Sequence, residues 1–208
     1  MVFRYLPSAC VEVAAVTVQY RSVVWAAMLI LMVGCSPTFK DDAPPNRQVE
    51  AADIPTSFLD QDGKPVDLKS YRGKTVVLVV VRGMPESPGG VFCPYCLAQA
   101  GSLAANHEEF QARGAEVLLV FPGPGDKAAE FTKQVQSKAD VGKGMPYTVC
   151  VDKDCSACDR LGIRGDLAKP STFIFDPNGE VVYAYVGKST SDRPSVKALL
   201  AEVDRLKK

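Results

Sequence analysis

The sequence predicts an α/β domain of three layers: a mixed central β-sheet flanked by helices, with a β-hairpin added at its N-terminal end. Three observations carry this. Apolar, β-branched runs alternate with amphipathic helical patterns along most of the chain. The first long run, Thr75-Val76-Val77-Leu78-Val79-Val80-Val81, is unbroken rather than alternating, as expected of a central strand covered on both faces. Two late runs flank Asp176-Pro177-Asn178-Gly179-Glu180, a hairpin turn that makes the sheet mixed.

Composition sets the frame. The chain has 208 residues, 47% hydrophobic and 23% charged, enough apolar material for one domain with a full core. Its 24 basic residues balance 24 acidic ones, so nucleic acid is not an expected partner.

The first residues read as a targeting segment. Arg21 precedes an apolar run at 23–33, shorter than the roughly 20 residues of a membrane span but of signal-peptide length. Residues 1–34 are expected to be a lipoprotein signal peptide. Met32-Val33-Gly34-Cys35 resembles a bacterial lipobox, which would lipidate Cys35 and anchor the chain in the cell envelope. Ser36 then favours the periplasmic face of the outer membrane. Cleavage near Cys35 without lipidation, or a signal anchor, is the alternative. Residues 35–52, with Pro37, Pro44, Pro45 and Asn46 and no periodicity, are expected as a flexible tether to a domain at 53–208.

The elements follow in order. Phe58-Leu59 and Val66-Asp67-Leu68 flank an Asp62-Gly63 turn, the added hairpin. After the central strand comes a helix from the Cys93–Cys96 region to about Arg113, stopped by Gly114. A strand over 116–121 leads to a helix with Asp126 as N-cap, burying Ala128, Phe131 and Val135. A strand over 147–151 and a short helix from Asp154 to Leu161 come next. The hairpin of 171–175 with 181–186 precedes a last helix with Val196, Leu199, Leu200, Val203 and Leu206 on one stripe.

One tetrapeptide carries chemistry: Cys93-Pro94-Tyr95-Cys96, at a helix start after the central strand. Cysteines two residues apart can close a small disulfide ring, and exposed backbone N–H groups with the helix dipole favour a thiolate on the first. Helical spacing puts Cys96 on the inward face with Ala100, Leu103, His107 and Phe110, leaving Cys93 at the open end. Cys93 is then the nucleophile toward a disulfide, and Cys96 resolves the mixed disulfide. His107, the single histidine, lies too far along the helix to serve Cys93 as a base and reads as a packed helix residue. Cys155-Ser156-Ala157-Cys158 is a second CxxC, open to three readings: a local disulfide, a dithiol relay to the first pair, or part of a four-cysteine zinc site. The last would occupy the active thiols. Cys150 reads as a buried core thiol.

The order of elements, with CxxC after the first long strand, resembles the thioredoxin fold. Within it, the redoxin branch (the alkyl hydroperoxide reductase and thiol-specific antioxidant family, peroxiredoxin-like) matches best, over residues 54–206. The residues that carry the resemblance are Asp62-Gly63, Val76 to Arg82, Cys93-Pro94-Tyr95-Cys96, Lys169-Pro170-Ser171-Thr172-Phe173 and Asp176-Pro177-Asn178-Gly179. It implies a cis-proline at Pro170, opposite the CxxC, and an arginine, Arg193, near the reactive sulfur; the bland alternatives are a trans-proline opening a strand and a solvated arginine. One departure stands out. Peroxidases of this family place Thr or Ser three residues before the reactive cysteine and Pro seven before it, whereas Gly90 and Glu86 stand there, with Pro85 and Pro88 out of register.

The expected function is extracytoplasmic thiol-disulfide exchange at Cys93 and Cys96 with no cofactor and no metal; the alternatives are a thiol-dependent peroxidase using Cys93 and a thiol-based metal-binding module. Expected partners are protein or small-molecule disulfides and thiols, peroxide under the second reading, a thiol electron donor or acceptor, and the membrane through an N-terminal lipid.

Overall fold

The computed structural model describes residues 38–84, 90–139, 142 and 144–207. The leader at 1–34, Cys35, and Pro85, Glu86 and Pro88 before the first CxxC lie outside the described residues.

Seven strands form one sheet: β1 (Ser57–Asp60), β2 (Pro65–Asp67), β3 (Thr75–Val80), β4 (Ala115–Pro122), β5 (Thr148–Asp152), β6 (Ser171–Phe175) and β7 (Val181–Val186), in spatial order β2-β1-β5-β4-β3-β6-β7. β3, β4 and β5 run parallel, and β6 and β7 close one side antiparallel. The early hairpin β1–β2 docks antiparallel on β5 at the other side. The sheet is therefore mixed, as the turn chemistry predicts.

Every residue of β3 is buried. Its side chains alternate with the pleat. Val77, Val79 and Val81 face a core built with α1 (Pro94–Ala105), α2 (His107–Gln111), α3 (Gly125–Ala139) and α5 (Val196–Arg205). Val76, Leu78 and Val80 face a second core with Phe58, Phe173 and α4 (Ser156–Arg160). Those are the three layers.

Local departures have local causes. The helix after the first CxxC breaks at Asn106, whose side-chain amide donates to the Ser102 carbonyl at 2.8 Å and leaves the residue at ψ 16°. α3 begins one residue before Asp126, its first turn hung on the Pro124 carbonyl at 3.1 Å. α5 is capped by Ser195, whose hydroxyl accepts from Ala198 N–H at 3.1 Å.

Part of the stretch expected as a flexible tether is docked on the domain, through Lys40, Ala43 and Asn46. Lys40 pairs with the backbone around Pro194, Ala43 is buried, and its carbonyl accepts from Tyr183 Oη at 2.8 Å. Asn46 exchanges two bonds with Val186 at 2.9 and 3.0 Å. Its polar, proline-rich composition suppresses periodicity but not docking by backbone and side-chain hydrogen bonds.

Candidate active site

β3 delivers the chain to the site, and three contacts fix how it leaves the sheet. Val81 N–H still bonds the Val120 carbonyl at 3.1 Å. Gly83 follows at φ +78°, so close to β4 that a Cβ there would stand 2.3 Å from the Pro122 carbonyl oxygen. Only glycine fits both the angle and the gap. Phe92 is buried edge-on against Phe131 (5.4 Å between centroids) and Phe121 (6.0 Å), which pins the residue before Cys93. Cys93 is the N-cap of α1 and Pro94 its first residue, where proline loses no helical bond.

The two sulfurs differ in environment. Cys93 is partly exposed and Cys96 is 1% exposed, and both are thiols in the structure. The Cys96 sulfhydryl donates to Cys93, and with the N–H groups of Cys96 and Tyr95 and the charge of Arg193 it lowers the Cys93 pKa to about 5. Cys96 moves the other way, well above the ordinary thiol range, because it holds the shared proton and is buried. The pair carries one negative charge at neutral pH, and that charge rests on the accessible sulfur.

The placement of Arg193 fits this. Its side chain is 1% exposed, yet no carboxylate pairs with it among the described residues. It donates instead to Cys96 Sγ (3.0 Å), Gln99 Oε1 (2.5 Å) and the Thr190 carbonyl (2.8 Å). A buried guanidinium needs a counter-charge, and the dithiol's thiolate is the one in reach. The arginine that the family resemblance places near the reactive sulfur is thus present, but its contact is with Cys96.

The docked arm holds the loop that carries Arg193. Lys40 N–H donates to the Arg193 carbonyl at 2.9 Å, and Lys40 Nζ lies 2.7 Å from Asp192. The Asp192 carboxylate also accepts from Tyr185 Oη and from Lys188 N–H at 2.8 Å. These donors hold its pKa down at about 2 against the opposing effect of burial.

Other expected residues fall into place or do not. The Lys169–Pro170 peptide is trans: no cis bond occurs among the described residues, which corrects the cis-proline expectation. Lys169 N–H bonds the Ile163 carbonyl and the Pro170 carbonyl accepts from Gly187 at 2.8 Å, on either side of the point where the chain enters β6. Pro170 belongs to the wall near Arg82 and Thr190 rather than to the sulfur contacts. Cys155 and Cys158 pack in the core on the opposite face of the sheet from Cys93 and Cys96. That excludes direct exchange between the pairs and a zinc ion shared by four sulfurs. Cys150 is fully buried, its pKa pushed up to about 12 by burial. His107 is buried beside Tyr147 as a packed residue.

Gln99 escaped the sequence reading. Its signal was available: it stands three residues after Cys96 on an otherwise apolar helix face. The backbone N–H of Arg82, 3.4 Å from Cys96 Sγ, carried no such signal.

Comparisons with known proteins give the family and the fold. The AhpC/TSA family model matches residues 45–184. Peroxiredoxin Q, chloroplastic, of Oryza sativa subsp. japonica is 30% identical over 158 residues, 73% of this chain and 60% of the relative. The chain thus spans about 60% of that relative's length. Peroxiredoxin Bcp of Escherichia coli (strain K12) is 24% identical over 159 residues, 71% of this chain and 92% of the relative. Among solved structures, a cysteine-to-serine mutant of peroxiredoxin 6 of Arenicola marina superposes with TM-score 0.64 at 16% identity, covering 77% of this chain and 74% of that one. A cysteine-to-serine mutant of Xanthomonas campestris peroxiredoxin Q gives 0.59 at 18%, covering 79% and 99%. These structures share the fold.

Proposed function

Because the chain belongs to the AhpC/TSA family, we propose that it is a thiol-dependent peroxidase whose reactive sulfur is Cys93 and whose resolving sulfur is Cys96. The observation that carries this is a thiolate on the accessible member of a dithiol, compensated by the buried guanidinium of Arg193. The Cys93 thiolate attacks one peroxide oxygen. An S–O bond forms, the O–O bond breaks, and the departing oxygen takes a proton to leave as water or an alcohol. Cys96 then loses its proton and attacks Cys93 Sγ, releasing water and closing the disulfide. Arg193, 3.0 Å from Cys96 Sγ, steadies the charge that develops there in this second step. An external thiol reductant returns the pair to the dithiol.

The position of Arg193 also bears on the missing hydroxyl. Counted from Cys96, the residue three before it is Cys93, so a sulfur takes the place that family peroxidases give to Thr or Ser. The loss of that hydroxyl favours a second reading, thiol-disulfide exchange, in which Cys93 attacks a disulfide. Oxidation of the reduced protein by hydrogen peroxide, timed against oxidation by a protein disulfide, separates the two. The peroxidase reading expects peroxide to be faster and a Cys96→Ser variant to accumulate a trappable sulfenic acid on Cys93. A protein disulfide faster by orders of magnitude would overturn it.

We further propose an extracytoplasmic, lipid-anchored chain. What supports it is the sequence alone: the apolar run at 23–33 and Met32-Val33-Gly34-Cys35. Radiolabelled palmitate should enter the protein in bacterial cells and be lost in Cys35→Ser; labelling that survives this change would refute it.

A further inference from the structure

The pair Cys155 and Cys158 is unused by the chemistry above, yet like the first pair it stands at a helix start. Cys155 is the N-cap of α4 and Cys158 its third residue, the same positions that Cys93 and Cys96 hold on α1. The first sulfur is again partly exposed and the second buried.

Two charged groups attend them. Asp152, at the end of β5, is 4% exposed and pairs with no cation among the described residues. Its carboxylate accepts from Ala157 N–H (3.1 Å), Cys158 N–H (3.2 Å) and the Ser156 hydroxyl (3.3 Å), and the Cys158 sulfhydryl lies against it. Arg164 lies beside Cys155, held by Asp159 at 2.8 Å and the Asp154 carbonyl at 3.3 Å. Cys155 itself is at φ 55°, the one non-glycine residue with positive φ among those described. Such a conformation is strained and persists only where the surroundings impose it.

We propose that Cys155 and Cys158 form a second thiol–disulfide exchange centre, on the opposite face of the sheet from the first, with Asp152 as proton acceptor for Cys158. Cys155, as thiolate, attacks one sulfur of a disulfide; the S–S bond breaks, and one thiolate leaves and takes up a proton. Cys158 passes its proton to Asp152 and its sulfur attacks Cys155 Sγ. The second thiolate leaves with that proton. One external disulfide becomes two thiols, and the protein dithiol becomes the Cys155–Cys158 disulfide.

The two centres differ in pH response. The charged groups facing Cys155 are Asp152 from β5, Asp159 from α4 and Arg164 from the segment after it. Burial and then Asp152 raise the Cys155 pKa, against Arg164, so its exchange quickens as pH rises. Cys93 is already ionised at neutral pH.

The test uses the full chain carrying Cys93→Ser and Cys96→Ser, so that failure of the peroxidase reading cannot affect it. Oxidised glutathione is the disulfide, and peptide mapping locates the products. With Cys158 present, a Cys155–Cys158 disulfide should form and release two reduced glutathiones per chain. With Cys158→Ser added, glutathione should remain on Cys155. Asp152→Asn should leave the first step within about twofold and slow the second about tenfold or more near neutral pH, the deficit closing as pH rises. A folded Cys158→Ser chain that takes no glutathione on Cys155 overturns the proposal. So does a Cys155–Cys158 disulfide that excess reduced glutathione fails to open, which would be a structural crosslink. Equal slowing of both steps by Asp152→Asn removes Asp152 from the chemistry.

Discussion

Replacing Arg193 by methionine removes the guanidinium in contact with the dithiol. The guanidinium stands 3.0 Å from Cys96 Sγ. Unit charges about 3–5 Å apart, at an effective dielectric constant of about 20, attract by about 3–5 kcal/mol before desolvation is subtracted. Opposite charges at such range move a pKa by about 1–3. The largest cause of the Cys93 depression is the Cys96 sulfhydryl, which the substitution leaves in place. The lower half of that range therefore applies, and the Cys93 titration should rise from about 5 to about 6–7. Near pH 7.5 most of Cys93 stays ionised, so its peroxide reaction should slow by less than about threefold. Near pH 5.5 the thiolate fraction, and the rate with it, should fall about three- to twenty-five-fold. Ultraviolet absorbance of the thiolate against pH, corrected with Cys93→Ser, reads the midpoint, and peroxide oxidation at the two pH values reads the consequence. The variant also strips a donor from Gln99 Oε1 and the Thr190 carbonyl, at about 1–3 kcal/mol each, so its thermal unfolding must be checked alongside. A folded variant whose Cys93 midpoint stays within about 0.3 of the parent would refute the reasoning, because the thiolate would then not be the counter-charge of the guanidinium.

Three further outcomes follow from the same geometry. The folded pKa of Cys93 lies below its ordinary value of 9.0, so between about 5 and 9 the unfolded chain binds more protons. Stability of the reduced protein should accordingly rise with pH across that window relative to Cys93→Ser, as denaturant midpoints would show, and be lost as pH falls through 5. Gly83→Ala forces a Cβ against the Pro122 carbonyl at a left-handed φ and should cost about 2–4 kcal/mol by denaturant unfolding, with a shifted Cys93 titration as the Arg82 N–H moves off Cys96. Asp192→Asn should lower the melting temperature by about 2–4 °C and slow the peroxide reaction through the Arg193 loop, whereas Lys40→Ala, at a half-exposed ammonium, should do less of both. The Asp192 carboxyl is depressed to about 2, so its contribution should be full above the ordinary carboxylate range and lost as pH falls toward 2.

Much of the scaffold was legible because its causes are local. The unbroken valine run of β3, the Asp62-Gly63 and Asn178-Gly179 turns and the stripe of α5 each report on neighbours within a few residues. The same holds for Cys93 and Cys96, whose spacing on a helix start decides which sulfur faces out. The misses are contacts across long stretches of chain. Nothing near Lys40 announces that it will brace Asp192, and the composition of residues 38–50 argued for a tether. The Lys169–Pro170 peptide is trans, and the bonds that flank it, to Ile163 and Gly187, are ones no local pattern displays. Which face of the sheet receives α4 was equally hidden, and it decides that the second dithiol lies apart from the first.

By itself, then, the sequence determined the mixed sheet and a cysteine pair at a helix start with one sulfur facing out, since hydrophobic period, turn residues and cysteine spacing act over a few residues. Tertiary structure alone decided which cation stands beside the pair. Arg193 reaches Cys96 across 97 positions of sequence, and its buried guanidinium, with no carboxylate partner among the described residues, adds to the Cys96 sulfhydryl in holding the charge on Cys93.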